Sequence, residues 1–130
     1  MSKKIIWVVD DDAIYQVIIN KIIKRSEMFS ASSSFKNGKE AVSALHKIIE
    51  NTELIPDIIL LDINMPVMDG FEAASQLRPQ FPDATLLILT ANVQASSRNQ
   101  AEALGVHFLA KPISAVIARQ ALALWGSEHA

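Results

Sequence analysis

The sequence predicts a three-layer α/β sandwich, a five-stranded parallel sheet of order 2-1-3-4-5 with five helices on its two faces. Three observations carry this prediction. Short apolar runs of strand length alternate along the chain with longer stretches of helical periodicity. The runs are apolar at nearly every position, as strands covered on both faces require. Finally, Asp10-Asp11-Asp12, Asp62 and Lys111-Pro112 each lie just past such a run. Ligands of open parallel sheets bind outside the carboxyl ends of the strands, so these clusters can meet in one place.

Taken in order, Ile5 to Val9 is the first strand, and Asp10 ends it. Asp12 stands where a helix N-cap belongs, and the first helix carries Ile14, Val17, Ile18 and Ile22 on one face. Lys21, Lys24 and Arg25 form its solvated face. Phe29 to Phe35 is a weaker second strand. Asn37-Gly38 opens the second helix, on which Ala41, Leu45, Ile48 and Ile49 share a face. Ile58 to Leu61 is the third strand, and Pro79 and Pro82 bracket the loop after the third helix. Leu86 to Leu89 is the fourth strand. The fourth helix, from Gln94 to Leu104, has a poor apolar stripe and ends at Gly105 as a C-cap. Val106 to Ala110 is the fifth strand, and the last helix carries Ile113, Val116, Ile117, Ala121, Leu124 and Trp125. Right-handed crossovers complete the topology.

The 130 residues contain no obvious linker and half are apolar, which predicts one ordered domain over residues 1–130. A net charge of −2 and a pI near 5.9, with no basic stripe, argue against a nucleic-acid surface. The absence of cysteine excludes a disulfide framework and thiolate metal sites. The opening MSKKIIWVV starts like a signal peptide, but Asp10 to Asp12 cut its apolar stretch short, and no run approaches the roughly 20 residues of a membrane span. A cytoplasmic protein is expected.

Three carboxylates, Asp10, Asp11 and Asp62, converging in a small pocket repel one another, and a divalent cation relieves this. Hard oxygen donors without cysteine or histidine suit Mg²⁺ or Mn²⁺. Asp62 is then placed to act as a nucleophile that accepts a phosphoryl group as an aspartyl phosphate. The Lys111 ammonium and the Thr90 hydroxyl complete a phosphate cradle.

Val8-Val9-Asp10-Asp11, Leu60-Leu61-Asp62 with Met65-Pro66 and Met68-Asp69-Gly70, Leu89-Thr90-Ala91, and Lys111-Pro112 together resemble the receiver domain of two-component response regulators, a flavodoxin-like fold of the CheY type. The resemblance covers nearly the whole chain, with every motif in order. It implies that a histidine kinase or phosphotransfer protein donates a phosphoryl group to Asp62. It implies Mg²⁺ handled by Asp10 and Asp11, with Asp11 the direct ligand of the pair, and by Asp62 and the backbone carbonyl of Asn64. Thr90 and Lys111 match the residues that contact the phosphoryl group and signal its presence through the fourth helix, fifth strand and fifth helix. Phe108 matches the aromatic switch position three residues before the lysine. It has no hydroxyl, so its inward and outward positions differ by packing alone. Asn64 and Asn92 match positions that influence hydrolysis of the acyl phosphate. The Lys111–Pro112 bond matches one that is usually cis.

Met65, Pro66, Met68 and Gly70 read as loop-shaping, with Gly70 supplying a backbone angle that a side chain resists. His46, His107 and His129 lack partners at ligand spacing and read as structural or surface residues. Trp7 and Trp125 read as core or rim. After Trp125 only Gly126 to Ala130 remain, too few for an output domain. The expected protein is therefore a monomer or weak dimer that signals by touching a downstream protein or relaying its phosphoryl group, and is not an enzyme beyond self-catalysed phosphorylation and dephosphorylation. One alternative is a Mg²⁺-dependent aspartyl-phosphate phosphatase, which Asp10 and Asp12, two residues apart, allow. Another is a receiver that binds partners without phosphorylation.

Overall fold

In the computed structural model, which describes residues 4–48, 55–63, 68–90, 95–110 and 123–127, the strands are β1 (Lys4–Val9), β2 (Phe29–Phe35), β3 (Ile58–Asp62), β4 (Thr85–Thr90) and β5 (His107–Ala110). The helices are α1 (Ala13–Ser26), α2 (Gly38–Ile48), α3 (Gly70–Gln80) and α4 (Ala95–Leu104), and residues 123–127 are also helical. All strand pairs are parallel, in the predicted order β2-β1-β3-β4-β5.

Successive strand residues face opposite sides of the sheet, and the core divides accordingly. Trp7, Val9, Ile59, Leu61, Leu86, Ile88 and Phe108 pack with Ala41 of α2, Ala73, Ala74 and Leu77 of α3, and Ala101 of α4. Ile6, Val8, Ile58, Leu60, Leu87 and Leu89 pack with Tyr15, Ile19 and Ile23 of α1, and against Leu124 and Trp125. The result is three layers. Among the described residues no helix is long and apolar enough to cross a membrane.

Three sequence expectations are corrected. The buried stripe of α1 is Tyr15, Ile19 and Ile23, while Ile14 is 74% and Val17 55% exposed. This helix is aliphatic on most sides, so periodicity alone does not choose its face. Its buried face is chosen by packing of Tyr15, Ile19 and Ile23 on the sheet, and its start is fixed by the Asp12 cap, whose carboxylate accepts from the Ile14 and Tyr15 N–H groups at 2.9 and 3.1 Å. Second, α3 runs through Pro79 to Gln80. Pro79 lies in the last turn, and the chain beyond it is held by Arg78, whose guanidinium donates to the carbonyls of Phe81, Pro82 and Ala84 at 2.7, 2.8 and 2.6 Å. Third, Gly70 has no positive φ. A Cβ there would collide with the Asp62 carbonyl oxygen and come within 3.0 Å of the Ile63 Cα, so the residue serves close approach.

Other punctuation agrees with expectation. Asn37 caps α2 through Glu40 N–H at 3.0 Å. Gly105 ends α4 at φ 69°, with Gly105 N–H donating to Glu102 and Val106 N–H to Ala101, the paired bonds of a Schellman motif. At the amino end of the sheet, Asp57 joins three strands: its N–H donates to Ile5 O (2.8 Å), its carbonyl accepts from Thr85 N–H (2.9 Å), and its carboxylate accepts from Ile5 N–H (2.9 Å).

Candidate functional site

Register brings the acidic residues together. Val9 pairs with Leu61, and Asp10 and Asp62 follow these partners on adjacent strands. Asp62 in turn pairs with Leu89, which sets Thr90 one residue further along β4, opposite Ala110 of β5. Ligand oxygens of Asp10, Asp11 and Asp62 lie within 4.8 Å of one another. Asp10 is 3% and Asp62 9% exposed, whereas Asp11 is exposed. Thr90 is buried at 1%.

The backbone around this pocket is held by specific bonds. One Asp10 carboxylate oxygen accepts from Asp12 N–H at 2.8 Å, which turns the chain from β1 into α1. Asp12 caps α1 and is outside the acidic cluster, so it does not form the Asp10–Asp12 pair that the phosphatase alternative needs. Ile63 N–H donates to Leu89 O, and Gly70 N–H to Ile63 O, each at 3.1 Å. The absence of a side chain at Gly70 lets the start of α3 close against the residue that follows Asp62.

Two residues that sequence reasoning left out border the site. Tyr15 is 3% exposed, and its phenol is pushed up to about 12 by burial and by the nearby charges of Asp10 and Asp62. Gln16 reaches back from α1 to three main-chain carbonyls near the acidic pair. Only the position of Gln16, six residues after Asp10, hinted at contact with the strand end. Phe108 is buried at 6%, and the Arg98 guanidinium carbon lies 5.7 Å from its ring centroid. Asn64, Asn92, Lys111 and the Lys111–Pro112 bond lie outside the described residues, as does the last helix before residue 123. Trp7 is core, and Trp125 is half-buried with the Lys4 ammonium 3.8 Å from its ring centroid.

Three clustered carboxylates, free of sulfur and imidazole, are a hard-oxygen donor set of the kind Mg²⁺ takes, and they fit that ion. The same arrangement sets the Asp62 carboxylate beside those of Asp10 and Asp11, with the Thr90 hydroxyl on the next strand.

Known proteins resemble this chain in sequence and in fold. Residues 6–123 match the family model of the response regulator receiver domain. The chain is 31% identical over 119 residues to a protein-glutamate methylesterase/protein-glutamine glutaminase of Methanococcus maripaludis, covering 89% of this chain and 31% of that protein. It is 32% identical over 92 residues to the DNA-binding transcriptional regulator NtrC of Salmonella typhimurium, covering 71% of this chain and 18% of the relative. The chain thus spans less than a third of either relative. Among solved structures, a chain of the Borrelia burgdorferi CheX-CheY-BeF3-Mg²⁺ complex superposes with a TM-score of 0.77 at 25% identity, covering 92% of this chain and 86% of that one. A CheY-like receiver domain protein of Methanospirillum hungatei gives 0.82 at 18% identity, with 98% of both chains covered, a likeness of fold. With its motifs, its strand order and a family match over nearly all its length, the chain belongs to the response regulator receiver domain family.

Proposed function

We propose that this domain is the phosphoacceptor of a cytoplasmic two-component or phosphorelay system, with Asp62 taking the phosphoryl group. The observation that carries the reading is the convergence of Asp10, Asp11 and Asp62 within 4.8 Å at the carboxyl ends of β1 and β3. An Asp62 oxygen attacks the phosphorus of a phosphohistidine on a kinase or phosphotransfer protein. The P–N bond breaks, and the donor imidazole leaves neutral because its other ring nitrogen carries a proton. Asp10, Asp11, Asp62 and the Asn64 carbonyl would hold Mg²⁺, and the ion would supply positive charge to offset the repulsion between carboxylate and phosphoryl oxygens. The Thr90 hydroxyl donates to a phosphoryl oxygen, and Lys111, which follows the β5 residue paired with Thr90, neutralises another.

The phosphoryl group carries about −1.5 to −2 charges on three acceptor oxygens, in place of the single charge of the Asp62 carboxylate. Drawing Thr90 and Lys111 toward it changes the surface formed by α4, β5 and the last helix, where Phe108 sits beneath Arg98, and a downstream protein reads that surface. Asn64 and Asn92 set how readily water reaches the acyl phosphate. Exposed Ile14 and Val17, beside the Asp11 and Asp12 turn, offer an apolar contact for the phosphodonor.

The test is intact-protein mass after incubation with Mg²⁺ and a small acyl-phosphate donor, with beryllofluoride binding measured in parallel. One labile phosphoryl adduct that requires Mg²⁺ and is lost in Asp62→Asn is expected. Wild-type protein that takes neither phosphoryl nor beryllofluoride would instead support the phosphorylation-independent alternative.

A further inference from the structure

The first two strands end where the acidic pocket begins, and Gln16 of α1 reaches three main-chain carbonyls there. Its side-chain amide nitrogen lies 3.1 Å from the carbonyl oxygens of Val8, Asp10 and Phe35. Two N–H groups serve three acceptors, so one hydrogen is shared. The orientation of the amide follows from these contacts, since a flipped side chain would set its oxygen against three carbonyl oxygens.

The bonds form a closed circuit through the metal-binding turn. Asp10 N–H donates to Phe35 O at 3.0 Å, and the same carbonyl accepts from Gln16. The Asp10 carbonyl accepts from Gln16, and the Asp10 carboxylate accepts from Asp12 N–H. The Asp12 carbonyl then accepts from the Gln16 main-chain N–H at 3.0 Å. Both peptide groups of Asp10 are thereby tied, directly or through Phe35, to one side chain on α1. Asp11 lies inside the loop that this circuit closes.

We propose that Gln16 is a positioning residue for the acidic pocket: its amide clamps the β1–α1 turn so that Asp10 and Asp11 face Asp62 before a cation arrives. The inference rests on the phosphoacceptor reading above. Its consequence is affinity for the ion, because a ligand held in place by its supporting hydrogen bonds loses less freedom on binding, and loss of such support typically weakens metal binding 10–100-fold.

Gln16→Met keeps the length of the side chain and removes the donors. Asn20→Leu is the matched control: Asn20 lies one turn further along α1 and also bridges to β2, donating to Ser34 Oγ at 2.9 Å. Both amides also bury an oxygen without a hydrogen-bond partner among the described residues. Calorimetric Mg²⁺ titration below both melting temperatures should give a dissociation constant about tenfold higher for Gln16→Met and within about twofold of wild type for Asn20→Leu. In metal-free protein, NMR relaxation dispersion should show new exchange at the Asp10, Asp11 and Asp12 amides of Gln16→Met only. Gln16→Asn, one methylene short of the carbonyls, is the substitute if Gln16→Met fails to fold, and the same weakening is expected.

Unchanged Mg²⁺ affinity in the Gln16 variant, or equal losses in Gln16 and Asn20 variants, overturns the proposal. A wild-type protein that itself binds no Mg²⁺ would overturn the phosphoacceptor reading instead, so the two failures are distinguishable.

Discussion

Alkaline titration should expose the strained electrostatics of Tyr15. The phenol is buried against the α1 side of the sheet, and its pKa is raised from 10.0 to about 12 by burial first, then by Asp10 and Asp62. Below pH 10 the group is protonated in folded and unfolded chains alike, and its contribution to stability is fully present. Between about pH 10 and 12 the unfolded chain releases the proton while the folded one keeps it, so stability falls as pH rises. Two pH units correspond to about 2.7 kcal/mol. For 130 residues, unfolding entropy of about 0.27 kcal/mol per degree converts this to a melting temperature roughly 10 °C lower. Tyr15 is the single tyrosine of the chain, so phenolate absorbance reads it directly. The expected midpoint is near 12 in native protein and near 10 in denaturant, and Tyr15→Phe should lose this part of the alkaline destabilisation. A native midpoint at 10, or an identical alkaline melting profile in Tyr15→Phe, would refute the argument.

Gly70→Ala should lower stability by about 2 kcal/mol, roughly 7 °C in melting temperature, although alanine is the better helix former, because the added carbon meets backbone at Asp62 and Ile63. Thermal melts showing a gain would mean that α3 can retreat freely. Glu27→Gly should raise stability by about 1 kcal/mol, since Glu27 holds the left-handed conformation at φ 57° that ends α1; urea titration measures it. Asp12→Ala should cost about 1 kcal/mol through the lost cap while Asp62 still accepts a phosphoryl group by mass spectrometry. Complete loss of that adduct in a folded Asp12→Ala protein would return weight to the phosphatase alternative.

The strand order and the pairing of Asp10 with Asp62 were legible because apolar strands buried on both faces leave an unambiguous pattern, and the polar residues ending them mark the same edge of the sheet. The face of α1 was not legible. Ile14 and Val17 satisfy helical spacing as well as Tyr15, Ile19 and Ile23 do, and the choice is made by contacts with the sheet. Gly70 was read as conformational when its role is steric, because only the folded arrangement brings the Asp62 carbonyl against it. Gln16 and Arg78 were missed for a related reason. Each gathers three carbonyls, and main-chain acceptors carry no trace in a string of side chains.

The Asp57 junction gives the sheet a direction of yielding. With β1, β3 and β4 fastened together at their amino ends by three bonds through one residue, none of the three slides along its neighbour without breaking that fastening. A push delivered at the opposite edge is therefore taken up by splaying or by side-chain rotation there, while the base stays as a pivot. The Ile5, Asp57 and Thr85 amides should accordingly exchange with deuterium only through global unfolding, and keep that protection whatever is bound at Asp62.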